Sequence, residues 1–218
     1  VTVAIFPSLI NLYHSQQIEK FRELIRQVFF VLVSLSIPAI VIFISCAKEI
    51  VHVLFSQNFD RSILPLQITA PLILIVSLSS IFGFQVLSAL AKDRQILYSA
   101  IIGMSVSIVL SILLVPSLME VGEAITILVT ELSVSVSFIY FTKKYFKVGG
   151  LTNMFLKQLV GALPYIVFVI IFKSIIADSI IVLTSISIIS LIWFCIYHLF
   201  ILKNSYFKVY LNGFLDKI

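Results

Sequence analysis

The 218-residue sequence is 61% hydrophobic and only 11% charged, with a mean hydropathy of +1.17, values that exclude soluble globular and disordered chains. Its apolar runs are near-continuous and of helical length rather than short segments of alternating polarity, which excludes a porin-like barrel and predicts an all-α, polytopic transmembrane bundle. The net charge of +5 comes from basic residues interleaved with those runs, without a patch or a recognition motif, so no nucleic-acid partner is expected.

The chain opens with the apolar stretch VAIFPSLINLY, too short to cross a bilayer and without the basic flank of a signal peptide. It reads as the cytoplasmic end of a helix whose beginning is missing, which makes the 218 residues an expected C-terminal fragment. His14 to Gln27 is polar, and Ile18, Phe21, Ile25 and Val28 recur at helical spacing against Glu19, Lys20, Arg22, Glu23 and Arg26. A short helix in the membrane surface is predicted there, with Glu19–Arg22 and Glu23–Arg26 pairs.

The first complete span is Val28 to Ala47, bent by Pro38 near its middle. Lys48 to Ile63 reads as a loop, with Asn58 and Asp60 as turn signals. The second span, Leu64 to Ala91, is longer than a bilayer needs and carries Pro65 and Pro71, so it is either tilted or broken. Within it Ser77, Gln85 and Ser88 fall in one sector of about 80°, a candidate cavity wall or a serine-mediated packing face.

After the charged turn Lys92 to Gln95 comes a third span, Ile96 to Pro116, whose Gly103, Ser107 and Ser111 predict close helix contact. The fourth, Val121 to Thr142, places Glu131 at its middle. A carboxyl facing lipid at that depth costs about 2.5 to 3.5 kcal/mol, so Glu131 is expected to face protein or a wet cavity. On a helical wheel Gly122, Glu123, Thr126, Thr130, Ser133 and Ser137 make one small and polar stripe, and Ala124, Glu131, Ser135 and Thr142 make another. One stripe should pack on neighbouring helices and the other line a polar interior; the wheel leaves open which does which.

Spans five (Phe155 to Ile176) and six (Ser179 to Leu202) complete the bundle, with Lys157 and Lys173 placed to snorkel and Trp193 and Tyr197 at belt depth. The tail, Lys203 to Ile218, is expected to lie along the surface. Twelve of the 15 basic residues fall in alternate connections that include the tail and three in the others, which makes the tail side cytoplasmic. Cys46 and Cys195 read as apolar fillers, and His14, His52 and His198 as interfacial polar residues. No phosphate loop, zinc spacing or nucleophile elbow is present, so neither an enzyme nor a cofactor is expected.

Several stretches resemble the second half of bacterial polysaccharide flippases, the Wzx-type branch of the multidrug, oligosaccharidyl-lipid and polysaccharide exporter superfamily. The resemblance is carried by Phe6, Pro7, Ser8 and Leu9, then Leu54, Phe55 and Phe59, then Leu66, Gln67 and Ile68. It continues through Gln85, Leu87, Ala89 and Lys92, and through Pro116, Gly122, Ala124, Thr126 and Glu131. Ser56 and Ala91 stand where that family often has Gly, and Glu123 replaces a small residue. The resemblance implies that residues 1–145 are the C-terminal lobe of such an exporter, a helix end plus four spans. Residues 146–218 would then be two additional helices and an amphipathic cytoplasmic tail.

It also implies translocation of an undecaprenyl-pyrophosphate-linked oligosaccharide across the bacterial cytoplasmic membrane by alternating access, with membrane lipid, the missing N-terminal half and a coupling proton or sodium ion as partners. Glu131, Gln85, Ser77, Ser88 and Thr130 are the candidates for the substrate or ion pathway. For Glu131 a structural pair across the bundle is the competing role. A drug/cation antiporter of the same superfamily, or a membrane enzyme or scaffold of envelope assembly, is the alternative function.

Overall fold

The computed structural model describes residues 2–55, 57–145, 150–175 and 179–198, and every element among them is helical. Among the described residues three helices are long and apolar enough to cross a membrane, Ile18–Ser45, Asp93–Lys143 and Leu151–Ile175; a broken pair, Asn58–Thr69 with Leu72–Leu87, makes a fourth candidate. Much of their surface is apolar and open, as at Ile101, Ile108, Ile112 and Leu113, which suits contact with lipid rather than water.

Helix α1 (Thr2–His14) turns at Gln16, whose φ is 58°, into α2 (Ile18–Ser45). The predicted surface helix is not a separate element: its residues are the first turns of α2, and the chain reaches Ser45 without a break. Phe21, Ile25 and Val28 are fully buried, because α1 and the core cover the apolar face that was expected to meet the bilayer. The polar face carries both expected pairs, Glu19–Arg22 at 2.8 Å and Glu23–Arg26 at 3.4 Å. Pro38 lies within α2 and does not interrupt it; the Ser34 hydroxyl, one turn earlier, donates to the Phe30 carbonyl.

The expected loop from 48 to 63 is helical instead, as α3 (Ala47–Phe55) and a 3-10 segment (Gln57–Ser62). Asp60 acts as a side-chain partner rather than only as a turn residue, with its carboxylate 2.6 Å from the His52 ring. The Lys173 ammonium lies 2.9 Å from Glu49 and donates to the Ser45 carbonyl, tying α7 (Leu151–Ile175) to the end of α2.

The second span is broken rather than tilted. Helix α4 (Ile63–Thr69) and α5 (Leu72–Ser79) meet at Ala70 and Pro71 with a bend of 42° between the two halves. From Ser80 to Leu87 the helix widens to π-helical bonding before it ends at Ala91, whose φ of 51° is left-handed. The Lys92 N–H returns to the Leu87 carbonyl to close that end. Glycine favours such a position, so Ala91 is strained there.

Helix α6 (Asp93–Tyr145) holds the third and fourth predicted spans as one element of 53 residues, about 80 Å if straight and far more than a bilayer. It is not straight: Met119 has φ 49° and ψ −123°, and there the chain reverses. A Cβ at Gly103 would stand 2.4 Å from Val134 Cγ2 and 3.8 Å from Thr130 Cγ2, so the two arms lie side by side, as the small residues of the first arm predict. One apolar core joins Leu9 of α1, Phe21 and Ile37 of α2, Phe82 and Val86 of the π segment, Phe138 of α6, and Ala162 and Tyr165 of α7.

Helix α8 (Ser179–Ile196) packs on α7 and α3. Trp193 and Tyr197 turn to α7, where their N–H and O–H groups donate to the Gly161 and Lys157 carbonyls. Both cysteines are free thiols, with Cys46 buried. The predicted tail, and the end of the sixth span, lie outside the described residues.

Candidate functional site

Thr142 fixes how the second arm of α6 is turned. Its hydroxyl donates 3.2 Å to the Phe82 carbonyl in the π segment, while Phe138 lies so close to Gly83 that a Cβ there would stand 2.5 Å from its ring. The Thr142 face of the arm therefore looks at the second span. Eleven residues earlier in α6, at about three turns and nearly the same angle on the helix, stands Glu131. Eleven residues earlier in the second span stands Pro71.

The second span and the second arm of α6 run the same way, because the chain turns at Ala91 and reverses again at Met119. Helices α4, α5 and the π segment each pack on α6 in turn. Glu131 thus lies on the face of α6 that turns toward the second span. Burial agrees: Ala124, Ser135 and Thr142, on the same stripe, are 4%, 3% and 2% exposed, whereas Glu131 is only partly buried.

The backbone is irregular at Pro71. The Ala70 N–H bonds to the Leu66 carbonyl, and the N–H groups of Ile73 and Leu74 bond to the Ala70 and Pro71 carbonyls. Pro71 has no N–H, so the Gln67 carbonyl lacks its in-helix donor, and the Ile73 N–H goes to Ala70 rather than to Thr69. No ion pair among the described residues includes Glu131. On the second span the Ser79 hydroxyl, one turn before Gly83, is buried without a partner.

The remaining candidates look elsewhere. Ser77 faces α2, with its hydroxyl 3.5 Å from that of Ser36 while it donates to the Ile73 carbonyl. Thr130 belongs to the other stripe and faces the first arm of α6, with its hydroxyl buried and unpartnered. Gln85 is buried in the π segment and Ser88 is half-buried beyond it. The structure does not bring these five side chains into one cluster. It assigns the stripes instead: Gly122, Thr126, Thr130 and Ser137 serve the hairpin, where Gly122 lies against the Leu114 carbonyl, and the Glu131 stripe serves the second span.

Sequence reasoning missed Ser79, the π segment and the Gln67 carbonyl. Pro71 signalled the last of these, and Gly83 inside an apolar run signalled a close approach. Among the described residues no three of His, Cys, Asp and Glu stand together as a metal site. No protein-family model matches the chain, and neither a curated protein nor a solved structure is significantly similar to it.

Proposed function

We propose that this chain is a lobe of a membrane transporter that moves a lipid-linked oligosaccharide across the bacterial cytoplasmic membrane. In this reading the membrane is crossed six times: by α2, by the broken second span, by each arm of α6, by α7 and by α8. Alternating access needs a polar interior between helices that can part, while the lipid tail stays in hydrocarbon. The observation that carries the reading is Glu131: an acid in mid-helix, on the face turned toward a broken span, in no ion pair among the described residues. Polar groups in the middle of a membrane are costly, and those without a structural pair mark a pathway.

The resemblance in Phe6–Leu9, Gln85–Lys92 and Pro116–Glu131 supplies the substrate class, an undecaprenyl-pyrophosphate-linked oligosaccharide. A drug/cation antiporter would carry more acids within its spans than this single deep one. The tail side, richer in Lys and Arg, is cytoplasmic in this reading. Flipping of a fluorescent lipid-linked oligosaccharide in vesicles tests it: the wild-type protein should expose the headgroup to an outside quencher faster than empty vesicles do. Equal rates, with the protein inserted and monodisperse, rule the function out.

A further inference from the structure

We infer that α4 is a hinged lid at the non-cytoplasmic end of the lobe, latched to the last turn of α2 by the side chain of Gln67. The inference rests on the reading of the chain as a transporter, which needs one end of the bundle to part, and names the element that moves. The two halves of the second span are held in different ways. Beyond Pro71, Ile75, Ile81, Phe82, Val86 and Leu87 are buried, and the last four belong to the main core. Helix α4 lies against α2, α3 and α6, yet none of its residues is buried and none belongs to that core. Local opening is easiest where the fewest buried contacts are lost, so α4 can leave its place while the half beyond Pro71 keeps its own.

The hinge is the Ala70–Pro71 break, where the two halves meet at 42° and the Gln67 carbonyl has no in-helix donor. Two polar ties hold α4 on the other side. The Gln67 side-chain N–H donates 2.9 Å to the carbonyl of Ile44, one of the last four residues of α2, whose carbonyls have no donor within their own helix. Asp60, in the 3-10 segment that leads into α4, meets His52 of α3 at 2.6 Å. The Asp60 side chain is 64% exposed, where an ion pair adds little, so the direct bond from Gln67 is the latch. Its seat is fixed without α4: Lys173 of α7 donates to the neighbouring Ser45 carbonyl and pairs with Glu49 of α3.

Pulsed electron paramagnetic resonance on the full chain in vesicles tests the lid. Cys46 and Cys195 are replaced, and spin labels are attached at two exposed positions, Leu35→Cys on α2 and Leu64→Cys on α4. The distances should fall into a short and a long population, and Gln67→Met should shift their ratio toward the long one about two- to tenfold, the effect of one lost hydrogen bond. The pair Leu35→Cys and Phe84→Cys, which reports on the half beyond Pro71, should give one distance that Gln67→Met leaves unchanged. A single Leu64 distance that Gln67→Met does not alter overturns the lid, as does an equal shift at Phe84, which would mean that the whole span moves. Should Gln67→Met fail to insert, Pro71→Ala decides: it restores the missing N–H and should merge the two Leu64 populations, and their persistence overturns the hinge. Flipping measured on the same preparations separates the lid from the function. Two Leu64 populations in a protein that does not flip keep the lid and remove the transport reading, whereas flipping with a single Leu64 distance overturns the lid alone.

Discussion

The second span and α7 each carry a proline inside an apolar helix, and the molecule treats the two differently. At Pro164 the helix runs on unbroken, and Trp193 and Tyr197 lie against it, donating to the Gly161 and Lys157 carbonyls. At Pro71 the helix bends by 42° and the Gln67 carbonyl loses its in-helix donor. Where two helices are held together, side chains of one bond the backbone of the other. Breaks in a helix cost stability, and such departures concentrate where a protein does its work.

Transport should separate the two regions most widely. Glu131→Gln is expected to lower flipping at least tenfold, about 1.4 kcal/mol in the barrier, without loss of insertion, whereas Trp193→Phe should stay within about twofold of wild type. A vesicle flipping assay on both variants measures this, and a Trp193→Phe defect as large as that of Glu131→Gln would erase the distinction.

Stability gives the next contrast. A Cβ at Gly161 would stand 2.3 Å from the Tyr197 ring, and one at Gly83 2.5 Å from Phe138. Each Gly→Ala change should destabilise by about 1–3 kcal/mol through overpacking, read as unfolding in mixed micelles. Only Gly83→Ala should also slow flipping, because it pushes on the contact that turns Glu131 toward the second span. Tyr197→Phe removes one donor to the Lys157 carbonyl and should cost about 1 kcal/mol of stability with transport intact. The smallest change has the opposite sign: Ala91→Gly relieves a left-handed residue at the end of the second span and should raise stability by up to about 1 kcal/mol.

Composition and periodicity were enough for the class and for most of the apolar helices, because a helix that must bury all its backbone bonds in lipid writes its length into the sequence. The ion pairs of α2 and the close approach at Gly103 were legible for a local reason, the three- and four-residue spacing of a helix. What escaped depends on contacts between distant segments. Nothing near residues 18–27 shows that α1 covers them, and nothing near Lys173 shows that Glu49 waits across the bundle. Likewise the two stripes of the Glu131 helix are equivalent on a wheel, and only the bond from Thr142 to the Phe82 carbonyl tells them apart. Of the five candidate side chains, the adjacent Thr130 and Glu131 were grouped by position, although neighbours on a helix point about 100° apart.

Cysteine substitution along one stripe of α6 tests the central claim most directly. With Cys46 and Cys195 replaced, single cysteines at 124, 131 and 135 are treated with a small hydrophilic thiol reagent in sealed vesicles of each orientation. The account predicts that position 131 reacts while 124 and 135 stay protected. If 131 is as unreactive as its two neighbours from both sides, the acid is sealed inside packed helices and lines no polar interior.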